Sequence, residues 1–439
     1  MYKYPDDFIN KIICGDCIKV MRTLEGNSID AIVTDPPYGL EFMGKEWDKL
    51  WGKANPEVDD KHTIGAYKKR SLVQKYVAGY EAQLWHNQWA TEALRILKPG
   101  GHLLSFGGTR TYHRMVCGIE DAGFEIRDTI GWLYGSGFPK SENVSQAIDK
   151  MFCRQELAEK LDRKPTREEF KKEWEGYRKV VGKKQYASPA GNNANFGVSN
   201  LTYSDTKRDL TAPATPEAKQ WEGWGTALKP AFEPIVVARK PLSEKSVAEN
   251  VLKWGTGGIN VDECRIPHNE NLSVKRDGHK LDTNNQGWGF KAVDRDNKGR
   301  FPANIIHDDS DEVLAVFPDN TSRFFYCAKA SKKERNMGCE GLEERNYHMT
   351  HPQQVGTLED RYKATNKNNH PTVKPLALME YLIKLVSTKD AVILDPFAGS
   401  GTTLMACKKL GRKYIGIEKE EEYVKIARHR VNATPEPLF

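Results

Sequence analysis

No stretch of the chain approaches the ~20 consecutive apolar residues that a membrane-spanning helix needs, so a helical integral-membrane protein is excluded. The opening Met1-Tyr2-Lys3-Tyr4-Pro5-Asp6-Asp7 lacks the apolar core of a signal peptide, and secretion is not expected either. Cysteine is sparse and unpatterned: eight residues without a framework, with Cys14-Gly15-Asp16-Cys17 standing as a lone CxxC. That usage predicts reduced thiols in a cytoplasmic protein, and no metal site is expected. No internal repeat is evident, which removes solenoids and propellers. Charge of one sign is missing too, since 66 basic residues face 60 acidic ones for a net +6. A polyanionic partner is permitted by that balance and not demanded. At 439 residues the chain exceeds one comfortable domain, so a catalytic core with a sizeable insertion is expected.

What is present is organised around Thr34-Asp35-Pro36-Pro37-Tyr38-Gly39, which closes the apolar run Ala31-Ile32-Val33. Two prolines that cannot donate to a sheet ladder end a buried strand abruptly, at the edge where open α/β sheets keep their chemistry. The Pro36-Pro37 pair stiffens the turn, so a carboxylate, a carbonyl and an aromatic face stand in fixed relation. Such a set suits a flat, hydrogen-bonding guest, although a simple strand stop would look similar.

A second motif near the other end lifts the functional alternative. Val392-Ile393-Leu394-Asp395-Pro396-Phe397-Ala398-Gly399-Ser400-Gly401-Thr402-Thr403 precedes a helical run and the strand Lys413-Tyr414-Ile415-Gly416-Ile417-Glu418. Gly399 and Gly401 permit a sharp turn and close approach of a ligand, while a helix opening at Thr402 aims its amides into the same space. Glu418, ending the next strand, is placed to accept from ribose hydroxyls. No lysine follows Gly401, which argues against a phosphate-binding loop, and a nucleoside without a phosphate chain fits better.

Between these motifs the pattern predicts helices near 84–97, 115–122 and 145–180, and strands at 102–106, 124–134 and 234–238. The stretch 40–80 carries Trp47, Trp51, Tyr67, Tyr76 and the basic run Lys68-Lys69-Arg70, a mixture suited to nucleic acid. Residues 181–226 are loop-like. From 243 to 365 the apolar segments are short, with isolated strands at Asn304-Ile305-Ile306 and Arg323-Phe324-Phe325-Tyr326-Cys327. Asp16 and Asp35 end strands encoded first, and the glycine turn and Glu418 are encoded last. One ligand site needs them adjacent, so a circularly permuted doubly wound sheet is predicted.

Taken together, the sequence resembles a β-class amino-group DNA methyltransferase, in which the DPPY motif comes first and the FxGxG motif last. The matching pieces are Asp35-Pro36-Pro37-Tyr38, Leu97-Lys98-Pro99-Gly100-Gly101, Trp132 with Gly135-Ser136-Gly137-Phe138-Pro139-Lys140, His370-Pro371-Thr372-Val373-Lys374-Pro375, Asp395 to Gly401, and Glu418. Lys229-Pro230-Ala231-Phe232-Glu233-Pro234 is similar to methylases of phages and prophages. The resemblance implies an α/β fold with a mostly parallel seven-stranded sheet and an inserted target-recognition region. It implies catalytic-core residues 1–144, a charged helical insertion and linker at 145–226, a returning core strand at 227–242, target recognition at 243–365 and a cofactor-binding half at 366–439.

S-adenosyl-L-methionine is the cofactor so implied, with Glu418 on its ribose and Asp16, beside Cys17, on its adenine. Asp395, Phe397, Gly399, Gly401 and Thr402 would hold the methionine end, joined by Thr372 and Lys374. Asp16 fits a helix N-cap before Ile18 as well, Lys374 fits a solvated loop lysine, and Trp132 fits a core aromatic better than a stacking platform. Asp35, Pro36, Pro37 and Tyr38 would be catalytic. Family members acting at adenine N6 mostly carry Asp at the first position of this motif, and those acting at cytosine N4 mostly carry Ser, so Asp35 favours adenine. The implied reaction is N6-adenine methylation of double-stranded DNA by base flipping, with N4-cytosine or RNA methylation as alternatives, in a bacterial or phage-infected cell. A homodimer and a cognate restriction nuclease stay open as partners.

Overall fold

The protein is described by a computed structural model for residues 5–39, 80–135, 141–184, 208–266, 299–315, 325–346 and 365–436. The aromatic and basic stretch 40–79 and Ser136 to Lys140 lie outside the described residues, as do 185–207 of the linker and 267–298.

Nine described strands build the central sheet: β1 Lys11–Cys14, β2 Ile29–Thr34, β3 Leu97–Phe106, β4 Glu125–Leu133, β5 Phe232–Arg239, β6 Ile305–His307, β7 Phe325–Tyr326, β8 Val392–Asp395 and β9 Lys413–Glu418. Their order is β1-β9-β8-β2-β3-β5-β4-β6-β7. Only β5 runs antiparallel to its neighbours, β3 and β4. The sheet is therefore α/β and mostly parallel, with two more strands than the expected seven. β6 and β7 extend the β4 edge in parallel, so the two short segments that read as isolated belong to the core sheet. Three and two residues are too few for a period-two signal, yet Ile306 and Cys327 are buried, and Trp132 Nε1 donates to the Cys327 carbonyl at 3.1 Å.

The two ends of the chain meet in the middle of this sheet. β8 pairs with β2 through Ile393↔Ala31 and Leu394↔Ile32, and β9 pairs with β1 through Cys14↔Glu418. Alternate strand residues feed two cores. Ala31, Val33, Leu104 and Ile393 face a layer containing Leu382, Leu404 and Val424; Ile32, Leu103 and Leu394 face one containing Trp89, Ala93 and Ile119. Each large apolar side chain sealed in this way contributes about 1.5–3 kcal/mol relative to exposure. The first layer comes from helices at Leu376–Val386, Thr402–Lys409 and Glu421–Ala433, and the second from Cys17–Met21, Tyr80–Ile96 and Tyr112–Asp121.

The insertion forms a small lobe of two helices, Val144–Leu161 and Arg167–Tyr177, with the antiparallel strands Val180–Lys184 and Arg208–Thr211. Fully buried Asp149 holds it together, since it pairs with Arg178 at 3.3 Å and accepts from the amides of Ala214 and Thr215. Residues 243–266 are tied to the core: Asn250 and Thr256 both donate to the Pro99 carbonyl, and Asn260 donates to Leu385.

Candidate active site

β8 is apolar until its last residue, and β9, once past the exposed Lys413, is buried until its own, so each delivers one acid to the carboxyl edge. Asp395 is 3 % exposed and fully engaged. Its Oδ1 accepts from Thr34 Oγ1 at 2.6 Å and the Phe397 amide at 3.1 Å, and its Oδ2 from Thr403 Oγ1 at 2.6 Å. Burial nonetheless pushes its carboxyl up to about 6, because the three donors offset only part of the lost hydration. The turn that follows bends through Gly399 at φ +50° and Gly401 at φ +81°. A Cβ on Gly399 would stand 2.7 Å from His370 Nε2, so only glycine fits. From below, buried Arg430 donates through Nη1 to the Ser400 carbonyl at 2.7 Å and to Thr402 Oγ1 at 3.1 Å, which fixes the turn to the last helix.

Glu418 braces the same turn, with Oε2 accepting from the Gly399 amide at 2.9 Å and Oε1 from the Glu420 amide at 2.8 Å. Burial raises its carboxyl, against those backbone bonds. Each oxygen keeps a lone pair for a ligand hydroxyl. Asp16 stands at the neighbouring strand end and does act as the N-cap of the Cys17–Met21 helix, accepting from the Lys19 amide at 3.1 Å. Cys17 is a core side chain whose thiol burial pushes up to about 12; only its main chain is available to a ligand. Phe397 packs on Trp85 and Trp89 with ring centroids 5.6 and 5.5 Å away. Half-buried Thr372 gives its carbonyl to His370 Nδ1 at 2.7 Å.

One strand away, the Asp35 to Tyr38 turn leaves β2 with Pro36 buried. Asp35 Oδ1 lies 2.8 Å from Tyr38 Oη, and Oδ2 lies 2.8 Å from Lys374 Nζ. Lys374 is a buried member of this cluster and not a solvated loop lysine. Burial pulls its ammonium down, but the carboxylates of Asp35 and Glu233 outweigh that and hold it above the ordinary lysine range. The Tyr38 phenol is pushed well up by burial and by the same two carboxylates, so it stays protonated. Trp132 is 3 % exposed and packs edge-on to Tyr134, as a core aromatic would.

Thr34, the residue before the motif, joins the two halves by donating to Asp395 across 361 positions of sequence. Sequence reasoning did not assign this bond, nor Thr403, Arg430 or Glu233. Glu233 is the largest omission, since its Oε1 touches both Tyr38 Oη at 2.8 Å and Lys374 Nζ at 3.2 Å. The available signal was its place at the start of the strand that returns beside Trp132, with which it is in register.

An acid-braced glycine turn beside a rigid Asp-Pro-Pro-Tyr turn defines an α/β enzyme that holds a nucleoside-type ligand next to a flat, hydrogen-bonding one. The chain belongs to the DNA methylase family, whose model matches residues 29–429, and whose members take the methyl group from S-adenosyl-L-methionine. It is similar to the type II methyltransferase M.HindIII of Haemophilus influenzae, at 25 % identity over 98 % of each chain. It is 43 % identical to the type II methyltransferase M.HpaI of Haemophilus parainfluenzae, over 96 % of this chain and 74 % of the relative. Among solved structures, the PvuII DNA methyltransferase, cytosine-N4-specific, matches 96 % of this chain and 85 % of its own at 13 % identity, with a TM-score of 0.42. The residues here fit the cofactor: Glu418 retains acceptor capacity for hydroxyls, and the Gly399 to Gly401 turn opens a helix toward the same edge.

Proposed function

We propose that the protein is a type II DNA methyltransferase that modifies the exocyclic N6 of adenine in duplex DNA, flipping the base out of the helix. The observation that carries the proposal is the adjacency of two turns: Asp35 to Tyr38 after β2 and Asp395 to Gly401 after the neighbouring strand β8, tied by the Thr34 bond to Asp395. Bound S-adenosyl-L-methionine supplies a methyl group on a sulfonium. Glu418 accepts from its ribose, and Asp16, beside Cys17, meets its adenine. Asp395, Phe397, Gly399, Gly401 and Thr402 shape the methionine end, with Thr372 and Lys374 at its margin.

An exocyclic amine is a poor nucleophile because its lone pair is delocalised into the ring. The Asp35 carboxylate and the Pro36 carbonyl each accept one amine hydrogen, which draws the nitrogen toward tetrahedral geometry and frees the lone pair. Pro37 keeps the two acceptors at fixed separation, so positioning and directed hydrogen bonds carry the rate. Tyr38 stacks on the flipped base, and that stacking offsets the few kcal/mol that extrusion costs. Sequence reading is assigned to residues 243–365 apart from β6 and β7, which sit in the core sheet, and phosphate contact to the charged lobe at 145–226, with 1–144, 227–242 and 366–439 forming the rest of the core. The carboxylate at Asp35 supports adenine, because serine is usual in this position for cytosine. Nucleoside mass spectrometry of product DNA tests this: N6-methyladenine is expected, and none from Asp35→Ala. N4-methylcytosine would overturn the base assignment, and transfer confined to RNA oligonucleotides the substrate class.

A further inference from the structure

Four polar groups meet where the flipped base would dock, and their hydrogens do not match their acceptors one to one. Tyr38 Oη lies 2.8 Å from Asp35 Oδ1 and 2.8 Å from Glu233 Oε1, yet the phenol has one hydrogen and satisfies one carboxylate at a time. Lys374 Nζ spends its three hydrogens on Asp35 Oδ2 at 2.8 Å, Glu233 Oε1 at 3.2 Å and Tyr38 Oη at 3.2 Å. Both donors thus bridge the same two carboxylates. Without Glu233, phenol and ammonium would both settle on Asp35, neutralise it, and leave a weak acceptor for an incoming amine. With Glu233 present the cluster carries one net negative charge, and both donors can lean away from Asp35. The three charged side chains are between 10 and 18 % exposed, so solvent does little to screen this competition. Tyr134 and Lys329 also face Glu233, and Lys329 lies over the Tyr134 ring at 3.6 Å.

We propose that Glu233 is a positioning residue of the base site, which takes over the Tyr38 hydroxyl and the Lys374 ammonium when a base amine docks on Asp35. The proposal rests on the methyltransferase reading given above. It deepens that reading by assigning amine recognition to a pair of carboxylates and not to Asp35 alone. Glu233→Gln preserves shape and one acceptor oxygen but loses the charge that draws Lys374 off Asp35.

Methylation-sensitive sequencing first gives the recognition site. Duplexes are then made with adenine, or with purine lacking the 6-amino group, at the target position. Dissociation constants are measured with the full chain in the presence of sinefungin, a non-reactive cofactor analogue. Glu233→Gln should weaken the adenine duplex by about tenfold, the scale that separates charge-assisted from neutral hydrogen bonds, and leave the purine duplex unchanged. Glu233→Asp should recover part of the loss. Equal weakening of both duplexes would mean a merely structural role, and no weakening of either would also overturn the proposal. Circular dichroism and sinefungin affinity establish that the variant is folded. If the wild-type product is N4-methylcytosine, the adenine reading fails separately, and the same comparison with cytosine and its 4-deamino analogue still decides the role of Glu233.

Discussion

Replacing Asp395 by asparagine should stabilise the fold at neutral pH while damaging the site. The carboxylate is 3 % exposed, and burial raises its proton affinity from the ordinary 3.8 to about 6. At pH 7 the ionised form therefore costs the folded state up to about 3 kcal/mol relative to the unfolded chain. Asparagine is the same size; its oxygen keeps the Thr34 hydroxyl and the Phe397 amide, and the Thr403 hydroxyl can turn to accept from its amide nitrogen. Three charge-assisted bonds become neutral ones, so the net gain should fall below the full figure. The pH dependence is sharper still. Because the folded carboxyl holds its proton more tightly than the unfolded one, stability falls as pH rises from 3.8 to about 6 and then levels. Urea unfolding at pH 4.5, 6 and 7.5 should show that fall in the wild type and a shallower one in Asp395→Asn. Destabilisation at pH 7.5 with an unchanged slope would refute the reasoning.

Three further substitutions separate the parts of the site. Glu418→Ala should weaken S-adenosyl-L-methionine by about one to three kcal/mol, the scale of a lost charged hydrogen bond, and unchanged calorimetric affinity in a folded variant would sink the assignment. Gly399→Ala forces a side chain into φ +50° and to within 2.7 Å of His370 Nε2, so a lower Tm and weakened cofactor binding are expected. Tyr38→Ala should lose about one to three kcal/mol of target-DNA affinity from stacking while cofactor affinity holds, and calorimetry with each ligand checks both halves.

Strand ends were legible because their boundaries are chemical: Pro36 cannot extend β2, and Pro396 cannot extend β8. The permutation was legible as well, since only adjacent β2 and β8 put Asp35 and Asp395 in one site. What escaped depends on registers that no local pattern encodes. Glu233 reaches Lys374 across 141 positions only because β5 runs antiparallel beside β4, and Arg430 reaches the glycine turn only once the last helix has packed. Asp16 shows a residue with two valid local accounts: the N-cap is realised, and a second carboxylate oxygen is left over. Lys374 shows the reverse, where loop-like sequence concealed a buried ion cluster.

The row of acids at the carboxyl edge has a consequence for turnover. Asp35, Glu233, Asp395 and Glu418 stand along five neighbouring strand ends with Lys374 among them, and Asp35 is one of the groups that raise Asp395. An edge short of positive charge binds a sulfonium better than the neutral thioether left after transfer, so the donor should bind more tightly than S-adenosyl-L-homocysteine. That preference needs ionised carboxylates. As pH falls through about 6, Asp395 takes a proton, the edge loses negative charge, and the preference should narrow. Calorimetric titration of both ligands from pH 5 to pH 8 measures the ratio directly. A ratio that stays flat would show that contacts, and not the field of the edge, discriminate donor from product, and a ratio that widens toward low pH would reverse the sign argued here.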